Sequence, residues 1–91
     1  IGGRVAEAVG ERLRSLAARG QVLCVTHQAQ VASKADRHFV VEKAYSRGKT
    51  QIGVRLLDSA GRIEEIARML AGEKITAAAR ENAKELIASS R

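Results

Sequence analysis

His27 is the side chain whose surroundings best suit it to chemistry. It follows Val22-Leu23-Cys24-Val25-Thr26, an apolar run with no alternation and two β-branched valines. Such a run predicts a strand hydrophobic on both faces, the habit of a central parallel strand. In open α/β sheets, ligands bind in the crevice outside the carboxyl ends of the strands. A histidine there can hydrogen-bond a phosphate oxygen or a water, and its near-neutral titration lets it respond to charge. By residue type and place alone, a half-buried histidine satisfied by its neighbours is the commoner arrangement, so both readings stand here.

Other candidates are weaker. Ile1-Gly2-Gly3 opens a helical segment, and paired glycines let backbone N–H groups approach an anion or another chain closely. They serve equally as a flexible lead into a helix. Gly48-Lys49-Thr50 imitates the tail of a phosphate-binding loop, but that motif needs glycine five positions before Gly48, where Lys43 stands. Lys43, Arg47, Lys49 and Arg55 cluster along one hairpin with only Glu42 in opposition. They suit a non-specific phosphate-contacting edge, or the cationic blunting of an exposed edge strand. Glu64 and Glu65 are adjacent on a helix and point about 100° apart, so they do not converge on one substrate. His38 has no second ligand at metal spacing. Cys24, mid-strand, is expected as a small core residue.

Composition narrows the classes. The 91 residues carry a net charge of +6, with 45% hydrophobic residues but only Phe39 and Tyr45 as aromatics. The core is expected to be aliphatic, and recognition of single strands by base stacking is disfavoured. A single cysteine excludes an internal disulfide framework and a multi-cysteine zinc site, and suits a reducing cytosol. No apolar run approaches the length of a membrane span. The first residue is not Met, which is expected of a piece of a longer protein.

The elements that must position His27 follow from periodicity. Residues 4–19 read as a helix with Val5, Val9, Leu13 and Leu16 on one stripe, stopped by Arg19 and a left-handed Gly20. Gly10 inside it suggests close packing against a neighbour. Strand 22–26 and a short helix through 29–35 come next, then a hairpin over 38–57 turning at Ser46-Arg47-Gly48-Lys49. Ile52, Val54 and Leu56 alternate with polar residues, as in a sheet with one wet face. Helices over 61–71 and 76–89 close the chain, with Gly72 ending the first and Thr76 capping the second. The expected class is α/β, a short mixed sheet of one buried parallel strand plus a hairpin, flanked by helices. Strand 22–26 wants a parallel partner, and a right-handed crossover from a strand upstream of Ile1 would make residues 4–19 its helix.

In order along the chain, four stretches carry a resemblance: Ile1-Gly2-Gly3; Gln21 to Ala32, reading QVLCVTHQAQVA; Glu65 to Gly72, reading EIARMLAG; and Asn82 to Ala88, reading NAKELIA. They resemble the C-terminal end of the RecN family of bacterial DNA-repair proteins, relatives of the SMC proteins with an ABC-type, P-loop ATPase head. The resemblance implies that residues 1–3 end the D-loop and that His27 is the switch histidine. Such a histidine contacts the γ-phosphate and the attacking water when two heads sandwich ATP. This agrees with the placement at the strand end and turns the balance on His27. Gln28 and Ala29 depart from the family's usual apolar residue and proline, without touching the histidine.

The resemblance also implies what must come from elsewhere. The phosphate-gripping loop, the ABC signature, the coiled coil and the Walker B carboxylates would all precede Ile1. On this reading residues 1–91 are one partial domain, the carboxyl-terminal lobe of the head. Gly2, Gly3 and His27 are its nucleotide-side residues, and it cannot hydrolyse ATP alone. ATP and Mg²⁺ belong to the full-length parent, an ATP hydrolase of the cytoplasm and nucleoid. Its partners would be the N-terminal lobe, a second head and DNA, with no membrane. The alternative is a free-standing basic nucleic-acid-binding module that uses the 43–55 hairpin.

Overall fold

Two side-chain caps set the carboxyl-terminal helices. The Asp58 Oδ1 accepts from the Gly61 N–H at 2.7 Å, and the Thr76 Oγ1 accepts from the Ala79 N–H at 3.1 Å, each satisfying a donor that a helix start leaves without a partner. The computed structural model describes residues 2–90; Ile1 of the expected glycine turn lies outside them. The order is α1 (Gly3–Ala17), α2 (Ala29–Ala32), β1 (Phe39–Ser46), β2 (Lys49–Leu56), α3 (Ser59–Ala71) and α4 (Ala77–Ala88).

The core lies where α2, α3 and α4 meet. Ala29, Ala32, Ile66, Ala67, Ala79 and Ala83 are buried there, and Ile63, Met69, Leu70, Ile75, Leu86 and Ile87 pack around them. Alanines let the helix backbones approach closely, so a small number of larger side chains fills the space. Arg62 pins α2 to this body. Its Nη2 donates to the carbonyl oxygens of Ser33 at 2.9 Å and Ala35 at 2.5 Å, just past the end of α2, and the residue is buried.

Gly72 ends α3 with φ 80° and ψ −148°. This combination is essentially closed to L side chains and costs about 1–3 kcal/mol when forced on one. Gly72→Ala is therefore expected to lower stability by about that amount, read from the midpoint of urea unfolding. An unchanged midpoint would show that the turn can relax. Gly20, by contrast, does not adopt the expected left-handed cap. Helix α1 stops at Ala17, with Ala18 at φ −65° and ψ −22°. The Arg19 and Gly20 N–H groups instead bond to the Leu16 and Ala17 carbonyls. That tightened turn satisfies the helix end without a left-handed residue.

Most of the stripe expected to bury α1 faces outward, with only Leu13 half-buried. Val5, Val9 and Leu16 are exposed, whereas Ala6 and Gly10 are buried. Small residues let α1 seat closely on α2, and a Cβ on Gly10 would meet Gln30, Val31 and Lys34.

The sheet departs most from expectation. Among the described residues it has two strands, β1 and β2, antiparallel, from Phe39 opposite Leu56 to Ser46 opposite Lys49. Residues 22–26 run without a ladder partner, and residues 21–26 make no backbone–backbone hydrogen bond to any described residue. The expected buried parallel strand is therefore not formed: Leu23 is 88% and Val25 97% exposed. Cys24 is exposed as well, correcting its expected place in the core. The physical reason is direct. A strand apolar on both faces needs ladder neighbours and a cover on each side, and the other two strands pair with each other.

The hairpin turns at Arg47 and Gly48, both with positive φ, at 51° and 73°, the two-residue geometry that matches strand twist. Its register places Phe39, Val41, Ile52, Val54 and Leu56 on one face. The alternation is as expected, but that apolar face is exposed too. The whole chain exposes 6975 Å², against roughly 5200 Å² for a folded monomer of its mass. Its radius of gyration is 14.2 Å, where roughly 12 Å is usual for this length. Large hydrophobic side chains stand exposed on α1, on residues 22–26 and on the hairpin.

Candidate functional site

Residues 20–27 run along an open groove whose other walls are α1, through Leu13 and Ala17, the start of the hairpin, through Val40 and Val54, and α3, through Met69. His27 stands on its lining, exposed, at the bend between the extended segment and α2. The Thr26 Oγ1 accepts from the Gln28 N–H at 3.0 Å, a local turn that fixes how the chain passes from the extended segment into α2. His27 therefore projects from a defined bend. Its ring is open to a ligand and is not packed among side chains.

Gly2 precedes α1 in extended conformation and has open space around it; Gly3 is the first helical residue. A Cβ on Gly3 would sit 3.4 Å from the Gln30 Nε2. The fold thus brings the glycine end of α1 beside the residue three positions after His27, a proximity that sequence spacing alone does not reveal.

The four hairpin cations do not share a face. Lys43 lies on the apolar side opposite Ile52, Arg55 and Lys49 lie on the other side, and Arg47 is in the turn. Arg55 is engaged with Glu42, its Nη2 donating at 2.8 Å and its Nε at 3.2 Å to the same carboxylate oxygen. Glu64 and Glu65 diverge as expected: Glu64 binds Arg80 at 2.7 Å, and Glu65 binds Arg68.

His38 is half-buried beside α3, and its Nδ1 is buried without a hydrogen-bond partner among the described residues. Burial pushes its titration below the ordinary histidine range, the Arg62 charge pushes the same way, and Glu65 opposes both. At neutral pH it is a neutral ring supporting the wall of the groove. Among the described residues, no group of three or more His, Cys, Asp or Glu could hold a metal ion.

Periodicity alone passed over two buried residues that tie α2 and the residues after it to the neighbouring helices. Arg62 falls with Ile66 and Met69 on one side of α3, and a cation on that buried side signals a partner. Lys34 hides its stem against Gly10 of α1. Its signal was the interior glycine of α1, which the sequence analysis assigned to close packing without naming what packs there.

No family model matches the sequence. Over 87 residues, 96% of the chain, it is 49% identical to the DNA repair protein RecN of Rickettsia felis and 49% identical to that of Xylella fastidiosa. Over the same length it is 42% identical to the DNA repair protein RecN of Halalkalibacterium halodurans. It spans only 15–16% of the length of these relatives. Identity at this level over nearly every element leads to one conclusion: this chain belongs to the RecN family.

Proposed function

We propose that residues 1–91 form the carboxyl-terminal lobe of a RecN-type ATPase head whose parent acts in recombinational repair of DNA double-strand breaks. One observation carries this reading: an extended, doubly apolar segment, bare at Leu23 and Val25, ends in an exposed His27 on the lining of a groove. Such a segment suits the interior of a larger parallel sheet, and a ligand at the tip of that sheet would meet the histidine. The printed names of the relatives, all DNA repair proteins, support the biological setting.

On this reading the substrate is ATP, gripped mainly by the N-terminal lobe, with Mg²⁺ neutralising phosphate charge when bound. The part this reading gives to this chain in the reaction is positioning. One ring nitrogen of His27 donates to a γ-phosphate oxygen while the other accepts from the attacking water, holding both in line. Gly2 and Gly3, with open space around Gly2, let the backbone of a second head approach closely. Without the other lobe this chain neither binds ATP tightly nor hydrolyses it. DNA is the partner of the full-length protein, which works in the cytoplasm at the nucleoid. Among the described residues, no helix is long and apolar enough to cross a membrane.

The spread of the hairpin cations over two faces, and the engagement of Arg55 by Glu42, give no support to a separate nucleic-acid module. Measuring ATP hydrolysis by the full-length protein with His27 replaced tests the proposal. Turnover is expected to fall with nucleotide binding kept, and unchanged turnover would remove His27 from the mechanism.

A further inference from the structure

Within this chain, His27 is held from its downstream side. Residues 21–26 make no backbone–backbone hydrogen bond among the described residues, whereas the Thr26–Gln28 turn ties the histidine to α2. Of this chain's own elements, those that hold α2 therefore hold His27, beside whatever sheet neighbours the full-length protein gives residues 22–26. Helix α3 does so through Arg62, and α1 does so through a second, more extensive contact.

That contact is built around Gly10. A Cβ there would stand 2.8 Å from the Lys34 Cγ, 3.2 Å from the Gln30 carbonyl oxygen and 3.3 Å from the Val31 Cα. The Lys34 stem must shift to admit a methyl group, and because the other two neighbours are backbone, α1 and α2 must also yield by a few tenths of an ångström. The Lys34 side chain is only 8% exposed, and its Nζ lies 3.8 Å from Oε1 of both Glu7 and Glu11, one helical turn apart on α1. Farther along, the Arg14 Nη1 donates to the Lys34 carbonyl at 2.7 Å and lies 3.6 Å from the Asp36 Oδ1. At the near end the Gln30 amide sits against Gly3. Contacts at Gly3, Glu7, Gly10, Glu11 and Arg14 resist both sliding and rotation of one helix on the other.

We propose that Gly10 and Lys34 are positioning residues for His27: they lock α1 and residues 28–36 into one rigid unit, fixing the spacing between the Gly2-Gly3 end of α1 and the imidazole. The inference rests on the reading of His27 as the histidine that meets ATP, and adds what sets its position. A shift imposed on Gly2 and Gly3 by an approaching partner is then carried to His27, because the unit between them has no soft joint.

ATP hydrolysis by the full-length protein tests this with four variants: Gly10→Ala, His27→Ala, the two combined, and Gly10→Ala with Lys34→Ala. Gly10→Ala is expected to lower kcat by about 10- to 100-fold, as misplacement of a positioned group by an ångström does, with KM for ATP little changed. Added to His27→Ala it is expected to lower kcat no further, because it acts through the histidine. Lys34→Ala added to Gly10→Ala is expected to restore none of the loss, since it relieves the clash with the Lys34 Cγ but deletes the contacts to Glu7 and Glu11, and full recovery would overturn the role given to Lys34. A kcat unchanged by Gly10→Ala, or lowered equally with His27 absent, overturns this inference and leaves the His27 reading standing. Full turnover in His27→Ala alone overturns that reading and this inference with it. A destabilised Gly10→Ala is recognised by a matching loss in the His27→Ala background, which counts against the proposal.

Discussion

Replacing His27 by alanine in the full-length protein is expected to lower the maximal rate of ATP hydrolysis by about 10²- to 10⁴-fold, the usual worth of a positioned acid–base side chain. ATP affinity is expected to stay within a few-fold, because the proposed reading gives the grip on the phosphates to the N-terminal lobe. The split between kcat and KM is the informative part. A group that orients the attacking water acts mainly in the transition state and leaves ground-state binding almost untouched. Equal losses in both parameters would mean that His27 only helps hold the nucleotide. His27→Gln keeps one donor and one acceptor at similar reach, so it is expected to recover part of the rate. No recovery would point to proton transfer as the dominant role.

Arg62→Ala is expected to have the largest effect on stability, about 3 kcal/mol, because a charged donor is removed from buried carbonyls that then lack partners. The carbonyls concerned are those of Ser33 and Ala35, and the side chain is itself buried. Urea unfolding of the wild type and variant measures the difference. Arg62→Lys is expected to recover only part of the loss, since one ammonium on a flexible stem does not reproduce a planar guanidinium reaching two carbonyls. A loss below about 0.5 kcal/mol, the range of ordinary surface substitutions, would mean that solvent replaces the guanidinium and that α2 is held from α1 alone.

Local signals were read well where the chain satisfies them locally. Thr76 caps α4 and Gly72 closes α3 because both features depend on residues within one turn. The Arg47-Gly48 hairpin and its alternation likewise follow from neighbours in sequence. The misreadings share one cause. Hydrophobicity alone places Val5, Val9 and Leu16 on α1, Leu23 and Val25 on the extended segment, and Cys24 in a core, and all are exposed. Hydrophobic pattern says that a face wants cover, not which chain supplies it. The RecN relatives, several times longer than this chain, are consistent with cover provided by another part of the protein.

The candidate site was legible in part. His27 could be singled out because a two-faced apolar run ending in histidine is a local pattern. Its supports could not, because Arg62 and Lys34 act over long sequence separations: Arg62 on carbonyls 27 to 29 residues away, and Lys34 against Gly10 and the carboxylates of Glu7 and Glu11. An arginine on the buried side of α3 and a glycine inside α1 marked where partners were needed without identifying them.

Hydrogen exchange of the amides of residues 22–26 in the full-length protein, with and without ATP, tests the central claim most directly. If this segment is an inner strand with His27 at its tip, these amides exchange slowly, as core strands do, and protection extends to His27 and Gln28 when ATP is bound. Rapid exchange throughout residues 22–28 in both states would contradict the account, because the segment would then be an exposed loop even in the complete protein.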